Sequence, residues 1–309
     1  MPVCPVCQNL QTTLWSSAED FEYHTSDKVY NYFSCNRCSS IFIDPIPIAE
    51  LNAIYPANYY SFVSTRKNVV VHIKEWLDKQ HFKRLLKYIT CNEIKVLDVG
   101  GGTGWLADAL KKTDSRVVLT QIVDIDEKAK VIAEANGHLY FKGILEEFET
   151  AEKYHLILML NLIEHVSDPL AVLQKASSML SPQGIILIKT PNTISWDAQL
   201  FKSTYWGGLH CPRHWVIFSE RSFRMLLMKT VLKVENLYYT QGGPFWAFSI
   251  IVWLYKNKLV TVTAERPVIF HPLFPLVSAA AALLDFIRRP FSKTSQMFIV
   301  LKQKNNNVD

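Results

Sequence analysis

VLDVGGGTGWLADAL, residues 96–110, reads as a buried strand, a glycine-rich turn and the opening of a helix. Val96, Leu97 and Val99 make the short apolar run of a strand covered on both faces. Asp98 stands at its end, followed by Gly100, Gly101, Gly102 and Gly104. Glycine is needed where backbone turns sharply or approaches a ligand with no Cβ in the way. A helix opens at Trp105, with Leu106, Ala109 and Leu110 as its apolar positions. Ordinary βα turns also contain glycine, but four glycines in the five residues 100–104 behind a strand-end acid ask for more than a turn.

Two kinds of nucleotide-like ligand suit such a loop. The dinucleotide fingerprint G-x-G-x-x-G sets a pyrophosphate on the helix N-terminus. Here the spacing is Asp98-x-Gly100-x-Gly102-x-Gly104, and an acid beside the turn favours a cationic ligand over pyrophosphate. This spacing resembles motif I of the class I S-adenosylmethionine-dependent methyltransferases. The resemblance implies an α/β fold, a Rossmann-like sheet of seven mostly parallel strands with the last one antiparallel.

Upstream, Cys4-Pro5-Val6-Cys7 and Cys35-Asn36-Arg37-Cys38 place two thiolate pairs on two tight turns. Two such turns facing each other make a closed tetrahedral zinc site, structural and without an open position for catalysis. A redox CxxC normally occurs once, near a thioredoxin-like pattern. The intervening Tyr30-Asn31-Tyr32-Phe33 alternates enough to supply strands of a small zinc ribbon. Asp44-Pro45-Ile46-Pro47 leaves the ribbon, and Tyr55-Pro56-Ala57-Asn58-Tyr59-Tyr60 comes next. Cysteine pairs, a P-x-P exit and a YPxxYY box are similar to those of zinc-ribbon methyltransferases of sugar and surface-polysaccharide pathways. Residues 1–60 are thus expected to hold the ribbon and connecting segment, and 61–309 the methyltransferase domain. Val69, Ile73, Trp76, Leu77, Leu85, Leu86 and Ile89 suit an amphipathic leading helix, with Lys79, Lys83, Arg84 and Lys87 on its solvated face.

Downstream, Arg116–Ile125 reads as strand two. Asp124 at its end lies close to where the family's acid binds the cofactor's ribose hydroxyls, and a carboxylate can accept both bonds of a diol. Asp126 is the fallback. Gly143-Ile144-Leu145-Glu146 resembles the family's adenine loop, which implies a contact through Leu145. Residues 154–192 carry strand four (156–160), a turn with Asn161 and Glu164-His165, a helix from Pro169, an SPQG turn and strand five (184–189). N-x-x-EHV-x-DP and the closing TPN match the ubiquinone-type and sugar methyltransferases, with His155 where those usually have Asp. Asn161 is placed with Asp98, Gly100, Gly102, Gly104 and Asp124 in the cofactor pocket. Trp206–Phe218 resembles the H-x-PRH-x-x-F segment of the polysaccharide-linked members, and His210 and His214 join His165 as candidate general bases. A histidine accepts a proton near neutral pH without a large pKa shift.

Residues 231–239 and 296–303 read as strands six and seven. Between them, 241–293 is an apolar helical insertion including PFWAFSIIVWLY (244–255) and PVIFHPLFPLVSAAAALLDFI (267–287). The first stretch is too short to span a bilayer and the second carries His271, Pro272 and Pro275. Burial against the catalytic domain is the plain expectation. Peripheral membrane contact through 244–287, as a lid for a lipid-linked acceptor, is the sharper one, with Arg288 and Arg289 suited to anionic headgroups.

With 49% hydrophobic and 20% charged residues, a substantial core is expected and global disorder is excluded. A net charge of +5 and the absence of a basic stripe give no ground for a nucleic-acid partner. MPVCPVCQNL lacks the apolar core of a secretory signal, and two unpaired thiols, Cys91 and Cys211, fit a reducing compartment, so a cytoplasmic enzyme is expected. The expected reaction is in-line methyl transfer from S-adenosylmethionine to an acceptor oxygen of a small-molecule or lipid-linked saccharide. The alternatives are an RNA methyltransferase, against which Asn161-Leu162-Ile163-Glu164 stands in place of an N/D-PPY box, and a non-catalytic cofactor-binding module.

Overall fold

The computed structural model describes residues 1–56 and 79–304. The second half of the aromatic box, the boundary at 60/61 and Val69 to Leu77 of the leading helix lie outside the described residues. Seven strands form the main sheet: β4 (Ile94–Val99), β5 (Val117–Asp124), β6 (Leu139–Lys142), β7 (Tyr154–Leu160), β8 (Leu180–Pro191), β10 (Leu232–Thr240) and β11 (Gln296–Gln303). Their order is β10-β11-β8-β7-β4-β5-β6. β11 runs antiparallel between β8 and β10, and the β8-β7-β4-β5-β6 pairs are parallel, as expected. β4, β7 and β8 are near-continuous apolar runs because helices cover both faces.

Three helices flank the strands that matter for the site: α1 (Trp105–Thr113), α2 (Glu127–Ala135) and α3 (Pro169–Met179). α3 starts where Asp168 accepts from the Leu170 and Ala171 amides, both at 3.0 Å, with Pro169 at its first turn. Such a cap stabilises a helix by about 1 kcal/mol. Upstream of β4, Leu85, Leu86 and Ile89 are buried, while Lys79, Lys83, Arg84 and Lys87 face solvent. One element differs from the sequence reading. SPQG (181–184) is not a turn before strand five but a bulge inside β8, since Tyr154 pairs with Leu180 while Leu156 pairs with Ile185.

A second sheet has the order β1-β2-β3-β9, from β1 (Thr12–Ala18), β2 (Tyr30–Cys35), β3 (Ile41–Ile43) and β9 (Val216–Ile217). β9 comes from the loop after β8, so the N-terminal sheet is completed by the methyltransferase part of the chain. The seam is also hydrogen-bonded: Thr193 donates to the Ser39 carbonyl at 3.0 Å and Ser219 to the Cys38 carbonyl at 3.1 Å. Ser219 caps α4 (Glu220–Leu227). The ribbon and the histidine-bearing loop are therefore one packed unit.

The insertion is a helical hairpin of α5 (Gly243–Lys256) and α6 (Leu273–Arg288). α5 is core: Phe245, Trp246, Phe248, Ile251 and Val252 are buried, and Ser249 accepts from the Gly207 amide at 2.8 Å. Within the stretch expected to contact a membrane, Phe245 and Trp246 are thus committed to packing, whereas Trp253, Phe270 and Leu273 are exposed. Among the described residues no helix is long and apolar enough to cross a membrane.

Candidate active site

The glycine turn sits at the carboxyl end of β4, where Gly100, Gly102 and Gly104 take positive φ angles of 73°, 52° and 80°. Gly102 points its amide at Asp124 Oδ2, 2.8 Å away, in a backbone pose that side chains rarely adopt. At Gly101 the constraint is space, since a Cβ would lie 2.6 Å from Asp98 Cγ. Asp98 is buried, and its Oδ2 has no hydrogen-bond partner among the described residues. Burial, with the nearby Asp124 carboxylate, pushes its pKa up to about 7. A buried carboxyl with an orphaned oxygen beside an open glycine turn fits a cationic group, and S-adenosylmethionine presents an ammonium and a sulfonium.

Asp124, at the end of β5, also accepts from the Asp126 amide at 3.0 Å. Burial raises its pKa, opposed by these two amide bonds. Asp126 caps α2 by accepting from Lys128 N at 2.8 Å, while Asp124 accepts one amide at each of its oxygens. Leu145 is buried and its neighbour Ile144 is exposed, the single helical turn over Leu145–Glu147 placing the first inward. Asn161 holds a left-handed φ of 57°, which asparagine tolerates better than most residues, with its amide bonded to Lys189 O at 2.8 Å. Next to it, Leu162 reaches within 3.0 Å of where a Cβ on Gly100 would stand, linking the turn to the start of the histidine segment.

His165, His210 and His214 form one cluster. Ring centroids lie 4.6 Å apart for His165–His214, 5.1 Å for His210–His214 and 6.3 Å for His165–His210. Each directs Nδ1 at an oxygen that can only accept. His165 Nδ1 lies 3.0 Å from Arg213 O, His214 Nδ1 2.8 Å from Gly208 O and His210 Nδ1 2.5 Å from Glu22 Oε2. Nδ1 of His210 and His214 therefore carries the hydrogen and Nε2 is the proton-accepting nitrogen, while His165 Nδ1 also lies 3.1 Å from the Tyr55 hydroxyl, which can donate to it. Burial, together with the neighbouring histidines, lowers the pKa of His165 to about 3 and that of His214 well below its ordinary value.

The ribbon segment supports this cluster from the opposite side. Tyr205 donates to Glu22 Oε1 at 2.6 Å, so the carboxylate behind His210 is held at both oxygens. Arg213 is fully buried, bonded to Asp20 at 2.8 and 3.2 Å and to Ile54 O at 2.6 Å. Burial alone would raise the pKa of Asp20, and the Arg213 guanidinium holds it below the ordinary range instead. Asp20 and Glu22 were not singled out by the sequence. They lie more than 180 residues from their partners, and only an acid-aromatic run, Glu19-Asp20-Phe21-Glu22-Tyr23, hinted at them.

Among the described residues, two donor sets could hold a metal. The sulfurs of Cys4, Cys7, Cys35 and Cys38 all lie within 4.8 Å of one another. Cys4–Cys38 and Cys7–Cys35 are 3.6 and 3.5 Å apart, close to the roughly 3.8 Å between sulfurs on a tetrahedral zinc. The two turns match each other: Gln8 N bonds Cys4 O and Ser39 N bonds Cys35 O, both at 2.9 Å, with Gln8 and Ser39 at φ 61° and 62°. Residues and geometry fit zinc. The second set is Glu164, His165 and His214, also within 4.8 Å. Glu164 is fully buried, burial raises its pKa to about 7, and its Oε2 has no partner among the described residues.

A family model described as "Methyltransferase domain" matches residues 73–237, 165 of the 309 residues. The chain is 30% identical over 120 residues to a ubiquinone biosynthesis O-methyltransferase of Rhodopseudomonas palustris, covering 36% of this chain and 46% of that protein. A namesake from Actinobacillus pleuropneumoniae is 34% identical over 107 residues, covering 32% and 46%. The chain thus spans about half the length of the curated relatives it matches. Coclaurine N-methyltransferase superposes with a TM-score of 0.52 at 14% identity, covering 84% of this chain and 82% of that one. A methyltransferase-like protein of Bacillus halodurans gives 0.51 at 18% identity, covering 74% and 100%. At these identities the structures speak for the fold alone. The chain belongs to the methyltransferase-domain family, with the fold of a class I S-adenosylmethionine-dependent methyltransferase.

Proposed function

We propose that the chain methylates a hydroxyl oxygen of a saccharide acceptor, with His210 as general base and Glu22 as the residue that positions it. The observation carrying this reading is the Tyr205–Glu22–His210 chain of hydrogen bonds, which fixes the Nδ1 tautomer and sets an anion behind the ring. The bound cofactor supplies an electrophilic methyl on its sulfonium. Asp98 and Asp124 orient that cofactor through its charge and its ribose. The buried histidine face excludes water, aligns the acceptor and takes its proton as the bond forms. The O-methyltransferase names of the relatives and the His210–Phe218 segment support an oxygen acceptor of the sugar or polysaccharide class. Zinc on the four cysteines would be structural. Isotope-labelled methyl from S-adenosylmethionine, offered to glycan, lipid and RNA fractions of a deletion strain, should enter an O-methyl sugar. Label confined to RNA would overturn the reading.

The orphaned Glu164 oxygen favours a second reading, in which a divalent cation on Glu164, His165 and His214 binds the acceptor oxygen. Turnover lost on chelation and restored by magnesium or manganese would support it, and unchanged turnover would remove it.

Two predictions concern the cofactor. Asp124→Ala should weaken S-adenosylmethionine binding by about 1.5–3 kcal/mol for each charged hydrogen bond lost, and calorimetry showing unchanged affinity would discard the ribose assignment. The second concerns pH. Because burial raises the Asp98 pKa to about 7, the ligand-free protein holds this group's full stability below the ordinary carboxylate pKa and loses it as pH rises through 7. Cofactor binding takes the opposite course, since the cation needs the ionised form. Affinity should rise about tenfold between pH 6 and pH 8 as that carboxyl ionises, and Asp98→Asn should flatten the profile. A flat wild-type profile would mean that Asp98 does not meet the cofactor's charge.

A further inference from the structure

We propose that the outward face of α6 docks on an anionic phospholipid bilayer, lying flat in the headgroup region. A surface helix normally turns an apolar stripe to the core and charged residues to water. α6 does not. Its inward face, Phe274, Ala281, Asp285 and Arg288, is wholly or partly buried, and the Asp285–Arg288 ion pair is closed within it. Its outward face repeats at helical spacing and is apolar as well: Leu273, Leu276, Leu283 and Ile287, with Leu276 68%, Leu283 60% and Ile287 62% exposed. Phe286 extends this face sideways, and Phe291, 89% exposed, extends it past the helix end. Exposed apolar surface of this extent marks an interaction site.

Length and charge identify the occupant. At 16 residues α6 is about 24 Å long, short of the roughly 30 Å hydrocarbon core, so it can lie on a bilayer but not cross it. Exposed cations edge the hairpin: Lys258, Arg266 and Arg289, against Glu265 as the one exposed acid between 243 and 293, while Lys293 is paired with Glu220 at 3.0 Å. Arg289 sits 5.7 Å from the Phe286 ring, at the margin of the apolar face, where a headgroup phosphate would meet it. A second copy of the chain is the poorer occupant, because a two-fold interface would bring the same basic rims together. Anionic lipid answers both the apolar face and its rim. This inference stands apart from the reading of the reaction, since none of these residues belongs to the cofactor or histidine site.

The test is co-sedimentation of the full chain with vesicles of phosphatidylcholine alone or mixed equally with phosphatidylglycerol. The expected result is binding to the mixed vesicles at least about tenfold tighter than to the neutral ones, weakened by salt. Leu276→Glu with Leu283→Glu, and separately Ile287→Glu, should each lose about tenfold or more of that binding. Thermal midpoint and S-adenosylhomocysteine affinity should stay unchanged, because these side chains face outward. Arg289→Glu should weaken binding to the mixed vesicles only. Absence of sedimentation, or variants that bind as the wild type does, would overturn the proposal. So would light scattering that shows a dimer dispersed to monomers by Leu283→Glu, which would give the face to a second copy.

Discussion

Replacing His210 by Gln is expected to lower turnover roughly 10²–10⁴-fold while cofactor affinity stays within about a factor of two. Gln keeps the bulk of the side chain and a donor for Glu22 but cannot take a proton. His210 is the preferred base because its Nδ1 faces a carboxylate, which stabilises the imidazolium formed on proton transfer, whereas His165 and His214 face neutral carbonyls. Burial also holds His165 and His214 at low pKa, which makes them poor proton acceptors. Glu22→Gln should therefore reproduce much of the His210→Gln loss, with kcat reduced more than KM is changed. Single-turnover rates for the variants at His210, His165, His214 and Glu22, with the thermal midpoint recorded for each, decide the matter. Near-normal turnover in His210→Gln with a severe loss in His165→Gln would move the base to His165.

Removal of the zinc expected on Cys4, Cys7, Cys35 and Cys38 should have the largest effect on stability. Structural zinc contributes on the order of 10 kcal/mol to folding in small domains. Here part of the ribbon's order is shared with the rest of the chain, through β3–β9 pairing and the Ser219–Cys38 and Thr193–Ser39 bonds. A loss of about 5 kcal/mol would lower the thermal midpoint by roughly 10 °C. The same bonds tie the second cysteine turn to the segment that carries His210, Arg213 and His214. Cys35→Ser should therefore abolish turnover yet leave S-adenosylhomocysteine binding largely intact, because the glycine turn belongs to the other sheet. Elemental analysis should give about one zinc per chain. Metal-free protein with full stability and turnover would overturn the ribbon assignment.

Local signals in the sequence were the ones that told most. Asp98–Gly104 is a strand-end acid and a glycine turn within seven residues, and each of its features answers to a contact in the fold. Strands were legible from apolar runs such as Leu156–Leu160, whose burial on both faces leaves a continuous pattern, and their arrangement in the sheet from the motif I resemblance. His165, His210 and His214 could be nominated singly, but their approach to within 4.6 to 6.3 Å depends on two loops meeting. What escaped was non-local. Glu22 lies 188 residues from His210, and Asp20 lies 193 from Arg213, so no periodicity or spacing could pair them. Val216–Ile217 is too short to declare itself as a strand, and it becomes one only because Ile41–Ile43 offers an unpaired edge. Which of the adjacent Ile144 and Leu145 points inward is decided by one helical turn that no spacing in the sequence announces. The insertion was legible as helical and apolar, but its division into a buried α5 and an outward-facing α6 depends on what each helix packs against.

The central claim, a class I cofactor held at the Asp98–Gly104 turn and Asp124, is tested most directly by calorimetric titration of the purified chain with S-adenosylhomocysteine. The account predicts saturable one-to-one binding that Asp124→Ala weakens by at least about tenfold, with no binding of a nicotinamide dinucleotide. Absence of S-adenosylhomocysteine binding by the folded protein, or tight dinucleotide binding in its place, would contradict it.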